Sequence, residues 1–231
     1  RGSNVTSGVR GTGDVRPNCC TELNVQEIYG GGKQADMFGG AEIVLGCMPN
    51  DWIGAIYGGA ANADVKNDVS LTLTSGKFGR VFGGNKSGGN IEGYIEVNIE
   101  ENPDCSTPII IGELYGGGDA APYTLPSRYI TENNPNYQSP RVNVRSFTSI
   151  GNVYGGGYGA AATVKGNPMV NINEVVVATD NEGNPISKAY DPDGDTGKPS
   201  FIDGVNVKLY PHEAKKIGVI GNVFGGGYVA N

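Results

Sequence analysis

Ile150-Gly151-Asn152-Val153-Tyr154-Gly155-Gly156-Gly157 decides how this chain is read, because nearly the same string returns as Ile220-Gly221-Asn222-Val223-Phe224-Gly225-Gly226-Gly227. It also stands at Ile111-Gly112-Glu113-Leu114-Tyr115-Gly116-Gly117-Gly118, at Ile53-Gly54-Ala55-Ile56-Tyr57-Gly58-Gly59 and at Phe78-Gly79-Arg80-Val81-Phe82-Gly83-Gly84. A shorter copy, Ile28-Tyr29-Gly30-Gly31-Gly32, comes first, and Met37-Phe38-Gly39-Gly40 reads as an imperfect extra one. The pattern is apolar, glycine, any residue, apolar, aromatic, then two or three glycines. Unequal intervals around a fixed motif imply insertions at loops with the strands held in place.

Between copies the chain alternates apolar and polar residues, as in Val69-Ser70-Leu71-Thr72-Leu73, Tyr94-Ile95-Glu96-Val97-Asn98-Ile99, Arg141-Val142-Asn143-Val144, Met169-Val170-Asn171-Ile172 and Val205-Asn206-Val207-Lys208-Leu209. Alternation with period two is the signature of a strand with one buried and one wet face. No stretch has the period or length of an ordinary helix. A unit of this size buries its apolar face only by stacking on its neighbours. The expected fold is therefore all-β, a parallel β-helix (β-solenoid) of about six coils, each with three short strands and tight glycine corners. Tyr29, Tyr57, Phe82, Tyr115, Tyr154 and Phe224 are expected to stack along its axis, with the preceding apolar residue on the other face.

The organisation that follows is a loose N-terminal arm, residues 1–22, and a single β-helix domain, residues 23–231, with insertions at 119–140 and 174–216. The first insertion holds four prolines and Tyr123, Tyr129 and Tyr137, which marks an ordered loop draped over the body. The second reads as a projecting hairpin turning at Asp180-Asn181-Glu182-Gly183-Asn184-Pro185. After the last glycine run no polar cap follows, so the end of the solenoid is expected to be covered by more solenoid or another chain.

The string resembles the glycine-rich β-helix repeat proteins, some of them adhesin-like, on the surface of Bacteroides-type gut bacteria. The resemblance spans about residues 25–231 and implies a right-handed parallel β-helix displayed outside the cell. It supplies no catalytic residue.

Composition narrows the function. The net charge is −7 and no run of Lys or Arg forms a basic stripe, so nucleic acid is not an expected partner. No run approaches the ~20 apolar residues of a membrane helix, so membrane insertion is not expected. Cys19, Cys20, Cys47 and Cys105 lack metal-site spacing and are disulfide candidates, with three pairings open. The alternative is four reduced thiols in a cytoplasmic protein.

Several motifs invite chemistry. Gly155-Gly156-Gly157-Tyr158-Gly159-Ala160 matches a dinucleotide fingerprint, but no helix follows to receive the pyrophosphate. Asp191, Asp193 and Asp195 alternate as in a calcium loop, yet Thr196 and Ile202 stand where the loop needs glycine and glutamate. Calcium is accordingly the one cofactor under consideration, against a solvated acidic turn. Glu92, Glu96 and Glu100 could supply a carboxylate pair for glycoside hydrolysis, against a plain solvated face. His212, the single histidine, lies in a polar loop. The resulting expectation is a non-enzymatic extracellular solenoid, a spacer or an adhesive surface that binds glycan or host protein. Its contacts would be Tyr123, Tyr129, Tyr137 and Tyr190, aromatic loop residues on a rigid scaffold. The alternative is a carbohydrate-active enzyme, a lyase or hydrolase, on the same fold.

Overall fold

The computed structural model describes residues 3–7, 25–48, 52–172, 200–201, 208–209 and 217–229. In chain order its strands begin β1 Ser3–Ser7, β2 Val25–Tyr29, β3 Ala41–Leu45, β4 Trp52–Tyr57, β5 Val69–Leu73, β6 Gly76–Phe82, β7 Ile95–Glu100 and β8 Ile109–Tyr115. They continue as β9 Tyr123–Thr124, β10 Gln138–Ser146, β11 Ser149–Tyr154, β12 Val164–Lys165, β13 Asn167–Ile172, β14 Ser200–Phe201, β15 Lys208–Leu209 and β16 Val219–Phe224. A 3₁₀ turn at Ser127–Tyr129 is the only helical element among the described residues.

Two six-stranded parallel sheets hold most of the strands, ordered β1-β3-β5-β7-β10-β13 and β16-β11-β8-β6-β4-β2. The chain visits them alternately, so each pass lays one strand on each sheet. This architecture is nearly all β and is compatible with a β-solenoid. Ser3–Ser7, expected in a loose arm, is instead the first strand of one sheet, paired in parallel with Ala41–Leu45.

The period-two segments build the first sheet. Ile43, Leu71, Val97 and Val142 stack inward in register, as do Leu45, Leu73, Ile99 and Val144. All of these are buried, and they share one core with Ile53, Phe78, Ile111 and Ile150 of the second sheet. On the outer face Asn171 donates to Asn143 (2.8 Å) and Asn143 to Asn98 (2.9 Å), an amide ladder that satisfies the side chains along the stack.

The glycine motif builds the second sheet. Its fourth residue, Ile56, Val81, Leu114 or Val153, points into the core, while its fifth, Tyr57, Phe82, Tyr115 or Tyr154, belongs to a separate cluster on the other face. The aromatic rings stack face on face from Tyr29 through Tyr57, Phe82, Tyr115 and Tyr154 to Phe224, with centroids 4.7 to 5.0 Å apart. That spacing is the strand spacing of a sheet, so register alone brings the rings together. The glycines are held by close approach: a Cβ on Gly83 would lie 2.3 Å from the Gly116 carbonyl oxygen. A second short stack, Tyr158 on Tyr228 at 5.3 Å, lies edge-on against the ladder.

Two expectations are corrected. The expected third strand is short: in the earlier layers it is reduced to isolated bridges, Met37 with Val65 and Val65 with Ile91, in segments rich in Gly, Asn and Asp that favour turns over extended runs, and later it is the two-residue pair β9 with β12. Met37-Phe38-Gly39-Gly40 is no extra copy of the motif. Met37 occupies that bridge and Phe38 is 80% exposed, far from a place in the ladder.

Cys47 and Cys105 form a disulfide with Cα atoms 5.0 Å apart, one of the pairings left open by sequence. Cys19 and Cys20 lie outside the described residues. So does most of the insertion at 174–216, of which only the antiparallel pair Ser200–Phe201 with Lys208–Leu209 is described.

Candidate functional site

The insertion at 119–140 is ordered, and one tyrosine explains why. Tyr123 lies in β9, which pairs with β12, and its ring is buried in the core. Its hydroxyl donates to the Gly93 carbonyl (2.9 Å) and lies 2.7 Å from the Ser139 hydroxyl, which in turn accepts the Ile95 amide (2.9 Å). Burial raises the phenol well above its ordinary value. Tyr123 is thus an anchor with no face free for a ligand, which removes it from the contact residues expected from sequence.

Downstream of the anchor the loop lays two tyrosines beside a third from the sheet. Tyr129 and Tyr137 have ring centroids 5.2 Å apart, and Tyr94, just before β7, meets Tyr129 edge-on at 5.8 Å. Tyr94 and Tyr137 stand 6.5 Å apart with their planes tilted by 44°. All three rings are half-buried. Tyr94 and Tyr137, with Tyr129 packed behind them, border a cleft of about 210 Å³ lined by Tyr94, Ile95, Glu96, Tyr137, Gln138 and Arg141. Polar groups therefore outnumber apolar ones in its wall. Ser139-Pro140, immediately beyond Gln138, is a cis peptide.

The charges around the cleft have assigned places. Arg141 faces Glu96 at 3.8 Å, and its Nε is buried without a hydrogen-bond partner, a donor the fold does not use. Tyr129 donates its hydroxyl to Asp68, the carboxylate that also accepts the Tyr94 amide (3.0 Å). Arg128 lies over the Tyr129 ring at 4.9 Å and donates to the Glu92 carbonyl. Burial, reinforced by Asp68, raises the phenols of Tyr94 and Tyr129. Burial raises that of Tyr137 too, while Arg141 works against the shift. All three are consequently neutral hydroxyls at physiological pH; Tyr129 commits its proton to Asp68, while those of Tyr94 and Tyr137 can donate as well as accept.

Each carboxylate considered for hydrolysis has a basic partner. Glu92 pairs with Lys66 (2.7 Å), Glu96 with Arg141 (3.8 Å) and Glu100 with Arg145 (3.7 Å). Among the described residues no group of His, Cys, Asp and Glu is arranged to hold a metal. Tyr190, Asp191, Asp193, Asp195 and His212 lie outside the described residues.

Of the contacts expected from sequence, then, Tyr129 and Tyr137 come together, and Tyr94 and Arg141 complete the cleft. Tyr94 had one sequence signal: it is an aromatic residue at the head of an alternating strand, where Asp68 stands one layer earlier. Arg141 gave none, since an arginine on the polar face of a strand is ordinary. Comparison with protein families, characterised proteins and solved structures returns no match for the chain. No helix among the described residues is long and apolar enough to cross a membrane.

Proposed function

We propose that the chain is a right-handed parallel β-helix of about six coils, displayed outside the cell, that binds glycan at the cleft beside Tyr94, Tyr129 and Tyr137 and performs no chemistry there. The observation that carries this reading is the convergence of half-buried aromatic rings with Glu96, Gln138 and Arg141 on one concave patch of a rigid sheet. Sugar rings present apolar C–H faces ringed by hydroxyls, so aromatic faces with polar groups alongside match them in both respects. The anchoring of the loop by Tyr123 supports the same reading, because a preorganised site loses little entropy on binding. The Cys47–Cys105 bond supports an oxidising location.

A glycan array probed with the intact protein tests the proposal. Binding to one class of glycan is expected, weakened by about tenfold or more in Tyr137→Ala, a loss of ~1.4 kcal/mol. Unchanged binding by that variant would remove the cleft as the site. Release of reducing ends or unsaturated sugar, abolished by Glu96→Gln, would replace the proposal with the carbohydrate-active enzyme.

A further inference from the structure

The two ends of the glycine-bearing sheet differ in what their backbones permit beyond them. At the second motif position a Cβ on Gly54, Gly79, Gly112, Gly151 or Gly221 would lie 2.3 to 2.5 Å from the carbonyl oxygen of its counterpart in the preceding layer. Glycine is therefore compulsory wherever a strand precedes. In β2, the first strand of this sheet, the residue at that position is Gln26, and no strand pairs on its outer side among the described residues.

The first glycine of each run faces the other way. A Cβ on Gly30, Gly58, Gly83, Gly116 or Gly155 would lie 2.1 to 2.4 Å from the carbonyl oxygen of its counterpart in the following layer. The second glycine is constrained in the same direction: a Cβ on Gly84, Gly117 or Gly156 would come within 2.7 to 2.9 Å of backbone nitrogen there. At β16 the same two positions are Gly225 and Gly226, and around them a Cβ would meet nothing within 4 Å. Neither has a φ in the left-handed region. The sequence thus keeps two glycines whose requirement, in every earlier layer, comes from a strand on the far side. That far side is also apolar: Val219 is 72% exposed and Phe224, the last ring of the ladder, 44%.

We infer that the outer edge of β16 receives a parallel β-strand of the same motif, with glycine at its second position and an aromatic residue at its fifth, carried by a polypeptide segment outside residues 1–231. Such a strand satisfies the open backbone edge, covers Phe224 with a sixth stacking contact and makes Gly225 and Gly226 necessary. A second copy docked through its own β2 does not fit, because Gln26 would drive its Cβ into the Gly221 carbonyl. The docking end is thereby directional: the β16 edge accepts, and the β2 edge refuses.

A labelled synthetic peptide with the sequence of residues 149–158, titrated against the intact protein and followed by fluorescence anisotropy, tests this. The peptide is expected to bind, and a version with glutamine at its second motif position is expected to bind at least about tenfold more weakly. The double variant Gly225→Ala, Gly226→Ala is expected to lose the peptide to the same extent while melting no lower than wild type, since its new methyl groups meet nothing and alanine restricts the unfolded chain. Equal binding of the glutamine peptide would overturn the inference, as would no binding at all, which would mean that the edge is already occupied, for example by the insertion at 174–216. A lowered melting temperature in the double variant would overturn it as well, by showing that the glycines serve the chain's own fold. None of these outcomes depends on the glycan reading.

Discussion

The chain uses tyrosine in two places to opposite ends. In the ladder, rings from successive motif copies lie parallel within 11° of one another, at the spacing of the strands that carry them. In the cleft, Tyr94, Tyr129 and Tyr137 meet at 41° to 83°, two of them from an insertion that no other layer has. The ladder spends its aromatic faces on itself, leaving Tyr57, Phe82 and Tyr115 essentially without exposed surface. The cleft keeps part of each face outward. A repeat therefore dictates where aromatic residues become architecture, and a departure from the repeat marks where they remain available for something else.

The sharpest way to break this contrast is through the backbone beneath the ladder. Gly83→Val would set a Cβ 2.3 Å from the Gly116 carbonyl oxygen and 2.7 Å from Ile95, positions fixed by the sheet on both sides. The expected cost exceeds about 4 kcal/mol, in the range reserved for severe core defects, and loss of soluble folded protein on denaturant titration checks it. Next comes Tyr115→Ala, which opens a gap between Phe82 and Tyr154 at a fully buried site. An expected loss of about 3 to 5 kcal/mol should appear as a lower denaturant midpoint with an unchanged slope. A loss below about 1 kcal/mol would mean that the ladder decorates the sheet and does not hold it.

The ladder was legible in the sequence because the motif fixes both register and face: one glycine position, then an apolar residue in and an aromatic residue out. The inward stacks, such as Leu71 on Val97, were equally legible from period-two alternation. What escaped the sequence depends on long-range closure. The third side of the layers carries isolated bridges at Val65 and Ile91 and only the two-residue strands β9 and β12 later, and which residues pair there depends on the layer before and after. Phe38 looked like a motif aromatic yet has no glycine-x-apolar run before it to set its register. In the cleft, Tyr123, Tyr129 and Tyr137 were equivalent by composition. Burial separates them, since the Ser139 hydroxyl and the Gly93 carbonyl claim the first. Arg141 became part of the site only through pairing of β10 with β7, which sets it beside Glu96.

Alkaline titration sharpens the same contrast with a smaller effect. Burial, with Asp119 beside Tyr57 and Glu113 beside Tyr115, raises both ladder phenols far above the ordinary tyrosine range. The folded chain therefore holds protons that the unfolded chain releases once pH passes about 10. Stability is complete below that pH and falls as pH rises toward the folded values, by at most ~1.4 kcal/mol per pH unit for each such tyrosine. Phenolate absorbance from the ladder should consequently appear together with loss of the β-sheet circular dichroism signal. Ladder ionisation that precedes unfolding would show the rings to be wetter than their packing implies.

The smallest stability effect is expected at the cleft, and its smallness is what makes it informative. Tyr137 is half-buried and packs at a tilt against Tyr94 and Tyr129, so truncation to alanine removes partial contacts and no buried hydrogen bond of the anchor. About 1 kcal/mol or less is expected on denaturant titration, against the several expected for Tyr115→Ala. If both tyrosines cost the same, the cleft is simply another packed seam and its rings belong with the ladder. If Tyr137→Ala is nearly silent in stability while glycan binding falls about tenfold or more, the aromatic surface at this position is maintained for a ligand, because the fold itself derives little from keeping it.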